Sequence, residues 1–122
     1  MTATRIALML ARLSGVAVLL LGILFWTGHA LSLVQTHMAL GVILVLALWT
    51  LAGLALRAGV DRATAAIAIA WGLAIPILGV VQLWLPAGGG YGLVRVLHLA
   101  LGLGAIAQAE SLAKRIASPR AR

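Results

Sequence analysis

The chain contains no cysteine. That absence excludes disulfides, thiolate metal sites, iron–sulfur clusters and a C-x-x-C-H haem attachment. Charge is almost as scarce: 9% of residues are charged, against about 25% in an ordinary soluble domain. The sequence holds two acids, Asp61 and Glu110, with no paired carboxylate, no Ser-His-Asp set and no phosphate loop. Hydrolytic chemistry lacks its parts, and an autonomous enzyme is not expected. What fills the chain instead is apolar: 64% of its 122 residues are hydrophobic, and the mean hydropathy is +1.17. Such a chain cannot cover itself with polar surface, which excludes a soluble monomer and a disordered chain alike.

A membrane crossing takes about 20 apolar residues. The length therefore fits one domain, residues 1–122, folded as an all-α, up-down four-helix bundle in a lipid bilayer. The apolar runs predict helices at about 8–27, 33–56, 62–85 and 91–116. Gly28 is a natural stop for the first. Ser32-Leu33-Val34-Gln35 reads as a capping box for the second. Asp61 can cap the third, and Pro86 ends it before the turn 86–90. Pro76 predicts a kink within it. Ser118 to Arg122 reads as a frayed polar end. The first run is longer than the apolar region of a signal peptide, about 7–15 residues, and reads as a retained helix.

The net charge of +7 suggests nucleic acid only until the charges are placed. Arg5, Arg12, Arg57, Arg62, Lys114, Arg115, Arg120 and Arg122 all lie at or near the ends of apolar runs. That is a topology signal and not a binding stripe, so no nucleic-acid partner is expected. It puts both termini on the cytoplasmic side of the membrane, with a bacterial inner membrane the expected location. Trp26 and Trp84 then end the two outward helices, where interfacial rings are favoured. Arg95 breaks the rule and needs its own reason.

A pattern repeats along the chain. His37-Met38-Ala39-Leu40-Gly41 and His98-Leu99-Ala100-Leu101-Gly102 share H-x-A-L-G at an offset of 61 residues, and Leu51-Ala52 recurs as Leu112-Ala113. Gly15 and Gly22 recur as Gly72 and Gly79 at an offset of 57. The chain thus reads as two duplicated helical hairpins related by an axis along the membrane normal.

His37 and His98 fall at similar depths on the diagonal helices 2 and 4. Gly41 and Gly102 lie one turn deeper on the same faces, and Gly22 and Gly79 fall near that depth on helices 1 and 3. Two inward imidazoles with glycine on every side suit a flat ligand. The sharp reading is one non-covalent haem b with His37 and His98 as axial iron ligands. Arg95, three residues before His98, would then face the haem propionates, with Tyr91 one turn further out. The plain reading of the histidines is an interhelical hydrogen-bonded or proton-linked pair, and that of Arg95 is a lipid-phosphate anchor. A metal ion alone is disfavoured, since two imidazoles without carboxylate or thiolate make a poor zinc site. Among the other polar groups, His29 reads as a solvated loop residue. Gln82 reads as facing the bundle or the interface. Glu110 reads as an ion pair with Lys114.

These residues resemble the four-helix core of membrane b-type cytochromes. That family takes haem ligands from helices 2 and 4 and places glycines on helices 1 and 3, and His37, His98, Gly22 and Gly79 fit the pattern. The resemblance implies electron relay with a redox partner protein or a quinone. The family's second histidine pair lies fourteen residues further along each ligand helix, where this chain has Leu51 and Leu112. One haem is therefore implied rather than two, and Gly15 and Gly72 are either remnants of an inner site or packing glycines. The competing reading is a haem-free anchor or assembly subunit packed in a larger complex through small-residue faces. A homo-oligomer is compatible with both, and a transporter of this size would require one.

Overall fold

The computed structural model describes residues 1–118. Its helices are α1 (Ala3–Trp26), α2 (Val34–Arg57), α3 (Arg62–Trp84) and α4 (Tyr91–Ala117), with a short 3₁₀ turn at Leu31–Leu33. Each is long and apolar enough to cross a membrane. The chain is therefore an all-helical membrane bundle, as its hydropathy implies. The frayed end expected after Ser118 lies outside the described residues.

Local chemistry sets most of the boundaries. Thr2 caps α1 by accepting from the Arg5 N–H. Gly28 and Gly59 follow α1 and α2 with φ of 76° and 78°, a left-handed backbone that a glycine adopts without strain. At each, the next residue's N–H reaches back across the last turn, His29 to Leu24 O at 2.8 Å and Val60 to Ala55 O at 2.8 Å. Both ends are Schellman motifs. Asp61 caps α3: its Oδ1 accepts from Thr64 N at 2.8 Å, and its Oδ2 from the Thr64 hydroxyl at 2.7 Å. The Thr64 side-chain and backbone hydrogen bonds hold the Asp61 carboxyl below the usual carboxylate range. α3 stops at Trp84 because Leu85 precedes Pro86 and is extended; it runs through Pro76 without a break.

One start signal does not hold. Ser32 forms no capping box. Leu31–Leu33 winds as a 3₁₀ turn after Ala30, which has φ 56°, and Leu33 takes the cap position of α2 with no side-chain hydrogen bond. The tighter turn moves Ser32 inside a helical segment, where its hydroxyl is out of register with the α2 amides.

Every neighbouring pair of helices is in contact, and so is the α2–α4 diagonal; α1 and α3 do not meet. The buried residues all lie toward one end. They run from Ala7 to Val18 on α1, Leu44 to Ala55 on α2, Ala65 to Ile75 on α3 and Ala105 to Ala113 on α4. That end holds the N-terminus, the 58–61 loop and the end of α4. Leu51 and Leu112, at the places of a second histidine pair, are among the most deeply buried side chains. Toward the opposite end no described residue beyond Val18, Leu44, Ile75 and Ala105 is buried.

Backbone contact through glycine locks the closed half. Trp49 of α2 lies on Gly72 and donates Nε1–H to Ile69 O at 3.1 Å. Trp71 of α3 lies on Gly104 and donates to Leu101 O at 2.8 Å. Ile106 fills the space beside Gly15. Gly15 and Gly72 are therefore packing positions. In a bilayer, where lipid is as apolar as leucine, such close packing and interhelical hydrogen bonds supply the association energy. A Cβ at Gly72 would lie 2.5 Å from Trp49 Nε1. Gly72→Ala should accordingly cost about 1–3 kcal/mol of stability, read as a lowered unfolding midpoint in detergent.

The charges gather at the closed end, with one rearrangement. Glu110 does not pair with Lys114 on its own helix. It accepts from Arg12 of α1, Nε to Oε1 at 2.5 Å and Nη2 to Oε2 at 3.0 Å. The planar guanidinium fork matches both carboxylate oxygens, which a lysine cannot do.

Candidate functional site

In the open half, α2 and α4 bring His37 and His98 together with ring centroids 6.3 Å apart and planes inclined at 48°. Each ring stands against the glycine of its own hairpin. A Cβ at Gly79 would meet His98 Cε1 at 3.2 Å, and one at Gly22 would meet His37 Cε1 at 3.8 Å. The backbone carbonyl of Val18 approaches the His37 ring, and that of Ile75 the His98 ring. Both fall short of a well-formed hydrogen bond, and each Nδ1 is buried without a partner. Val18 lies four residues before Gly22 and Ile75 four before Gly79, so the 57-residue offset extends to the carbonyls. The two hairpins build the same arrangement twice: a carbonyl, a glycine one turn later, and a histidine from the following helix.

The separation fits a shared metal and equally fits ordinary ring packing, in which centroids lie about 4.5–7 Å apart. A metal–imidazole bond is about 2.0–2.1 Å, so two imidazoles on opposite sides of one metal have centroids about 6.2–6.4 Å apart. The observed 6.3 Å meets that spacing. Neither Nδ1 takes part in a direct imidazole–imidazole hydrogen bond. No cluster of three or more His, Cys, Asp or Glu side chains exists among the described residues. A metal held here takes two protein ligands and must receive the rest of its coordination from elsewhere.

The remaining candidates divide. At Gly41 a Cβ would meet nothing within 4 Å, and at Gly102 only Leu19 Cδ2 at 4.0 Å. Both glycines open on space instead of touching the histidines. Arg95 lies 4.6 Å over the Trp26 ring and 5.3 Å from the Tyr91 ring centroid. Its guanidinium thus bridges α4 to the end of α1 through cation–π contacts. The chain's two carboxylates, on Asp61 and Glu110, belong to the other end of the bundle, so Arg95 has no acidic partner in its half. His29 is exposed and hydrogen-bonded to the Thr27 hydroxyl at 3.0 Å, as its loop position implies. Gln82 is half-buried.

Three features escape a reading of the sequence. Phe25 meets His37 edge-on at 5.3 Å; its signal is the i+3 spacing from Gly22. Trp26 reads as an interfacial ring but also carries the Arg95 cation. The carbonyls of Val18 and Ile75 carry no side-chain signal at all. No protein-family profile, curated protein or solved structure matches the chain.

Proposed function

We infer that the chain is a single-haem membrane b-type cytochrome that relays electrons in the half of the bilayer away from its termini. The observation that carries the reading is the His37–His98 pair, 6.3 Å between centroids, with two orphaned Nδ1 atoms. A porphyrin supplies the four in-plane nitrogens that the protein lacks. Along the α1–α3 diagonal the two backbones do not approach closely, and His37 and His98 are the residues that would hold the group. Gly22 and Gly79 keep side chains away from the two histidine rings, and Gly41 and Gly102 leave space one turn deeper.

The protein's residues then have distinct tasks. His37 and His98 would be the residues that hold the iron. The Val18 and Ile75 backbones lie beside the rings, where a carbonyl accepting a ring N–H would orient the imidazole. Arg95, held by Trp26 and Tyr91, offers a guanidinium to the propionate carboxylates. The closed half below is packed with apolar side chains. When bound, haem supplies reversible one-electron transfer, with a redox partner protein or a quinone as the exchanging species.

The test is direct. Protein purified after haem-replete expression should show a Soret band that sharpens on reduction, with split visible bands. A colourless preparation would instead favour a haem-free anchor or assembly subunit. Arg95→Leu should keep the low-spin spectrum and lower the midpoint potential by tens of millivolts, because the lost cation had opposed the extra positive charge of ferric iron. An unchanged or raised potential removes the propionate assignment. The arginine and lysine distribution supports a cytoplasmic position for both termini. Terminal tags should be protected from impermeant reagents in intact cells and become labelled after permeabilisation.

A further inference from the structure

We propose that the two histidines are unequal ligands: His98 anchors the cofactor, and His37 is the one that exchanges with a small neutral ligand. This rests on the haem reading above and adds a ligand-binding capacity to it.

The hairpins repeat one design, but the packing around each histidine differs. His98 is pressed against the α3 backbone, where a Cβ at Gly79 would stand 3.2 Å from Cε1. The matching distance at His37 is 3.8 Å, so the α1 backbone leaves that ring a margin of several tenths of an ångström. The helices carrying them also differ. His98 lies seven residues into α4, behind Arg95, whose guanidinium ties the first turns of α4 to Trp26 of α1. His37 lies in the first turn, three residues into α2, which starts after a 3₁₀ turn and the left-handed Ala30; neither α2 nor α4 has a side-chain cap, so it is the depth of each histidine in its helix that differs. An uncapped first turn opens more readily than the middle of a helix. Phe25 is the aromatic neighbour of His37, and it belongs to the penultimate position of α1, itself a helix end. The repeat offset puts Gln82 at the corresponding place in the second hairpin.

Exchange would free the imidazole nitrogen of His37 as the small neutral ligand took its place on a bound haem. No electron moves, and His98 stays in place. Opening of the first turn of α2 clears the His37 side while the closed half of the bundle keeps its packing.

The experiment uses the purified, reduced, full-length protein and carbon monoxide as the probe. Wild type should bind carbon monoxide at a measurable rate. Leu33→Asp, which restores an N-cap acceptor to α2, should slow that binding severalfold. His37→Ala should retain haem as a high-spin form that binds carbon monoxide at once, whereas His98→Ala should retain far less haem. Equal haem retention by the two alanine variants, or better retention by His98→Ala, would overturn the inequality. So would a Leu33→Asp rate equal to wild type. A wild-type protein with no haem spectrum would instead remove the underlying cytochrome reading, a result distinct from these.

Discussion

Replacing His37 or His98 with alanine should abolish the low-spin haem spectrum, and replacing His29 should leave it intact. The contrast follows from placement. His37 and His98 meet at 6.3 Å with orphaned Nδ1 atoms in the interior of the open half. His29 is exposed in the loop after α1 and already engaged by Thr27. Loss of one axial imidazole removes a strong-field ligand, so the spin state changes even where haem is retained. Burying two polar rings among apolar helices is costly unless they serve a purpose. The alanine variants should therefore be as stable as wild type, or more so, when haem is withheld. Spectra of all three variants, with thermal unfolding of the haem-free forms, check both statements. Wild-type spectra from both ligand variants would end the assignment.

Enlarging Gly79 to leucine should expel the cofactor while the helical bundle survives. At Gly79 even a methyl group reaches 3.2 Å from His98 Cε1. The three further carbons of leucine would have to occupy the ring's position or the plane between the histidines. Overpacking of this kind costs about 1–3 kcal/mol. The helix itself tolerates leucine well, so circular dichroism should remain helical. Gly22 makes the comparison sharper. Alanine there makes an ordinary contact with His37 at 3.8 Å, so Gly22→Ala should keep nearly full haem occupancy. Gly79→Ala should reduce occupancy or shift the spectrum, and Gly22→Leu should lose most of the haem. Full occupancy in both leucine variants would show that no haem sits at this depth.

Sequence by itself determined the number of helices, their near-complete boundaries and the presence of a bundle, because hydropathy over about 20 residues is decided by the bilayer's thickness and needs no tertiary partner. It also marked Gly28, Asp61 and Pro86 as helix punctuation, since each acts on its own backbone within a few residues. The repeat offsets of 61 and 57 singled out His37, His98, Gly22 and Gly79, because matching positions in two similar hairpins stand out as a fixed spacing in the sequence. Tertiary structure alone decided how those residues face one another. Whether Gly22 and Gly41 serve the same site depends on helix rotation, and a helix that is apolar all round has no moment from which rotation can be read. The packed bundle turned Gly22 and Gly79 onto the histidine rings and Gly41 and Gly102 onto open space. It paired Glu110 with Arg12 rather than Lys114, because α1 brought a better-shaped cation to the carboxylate than the next turn of α4 did. It also displaced the Ser32 cap with a 3₁₀ turn. Capping depends on the register in which the chain enters α2, and that register follows from how the loop after Gly28 joins two packed helices.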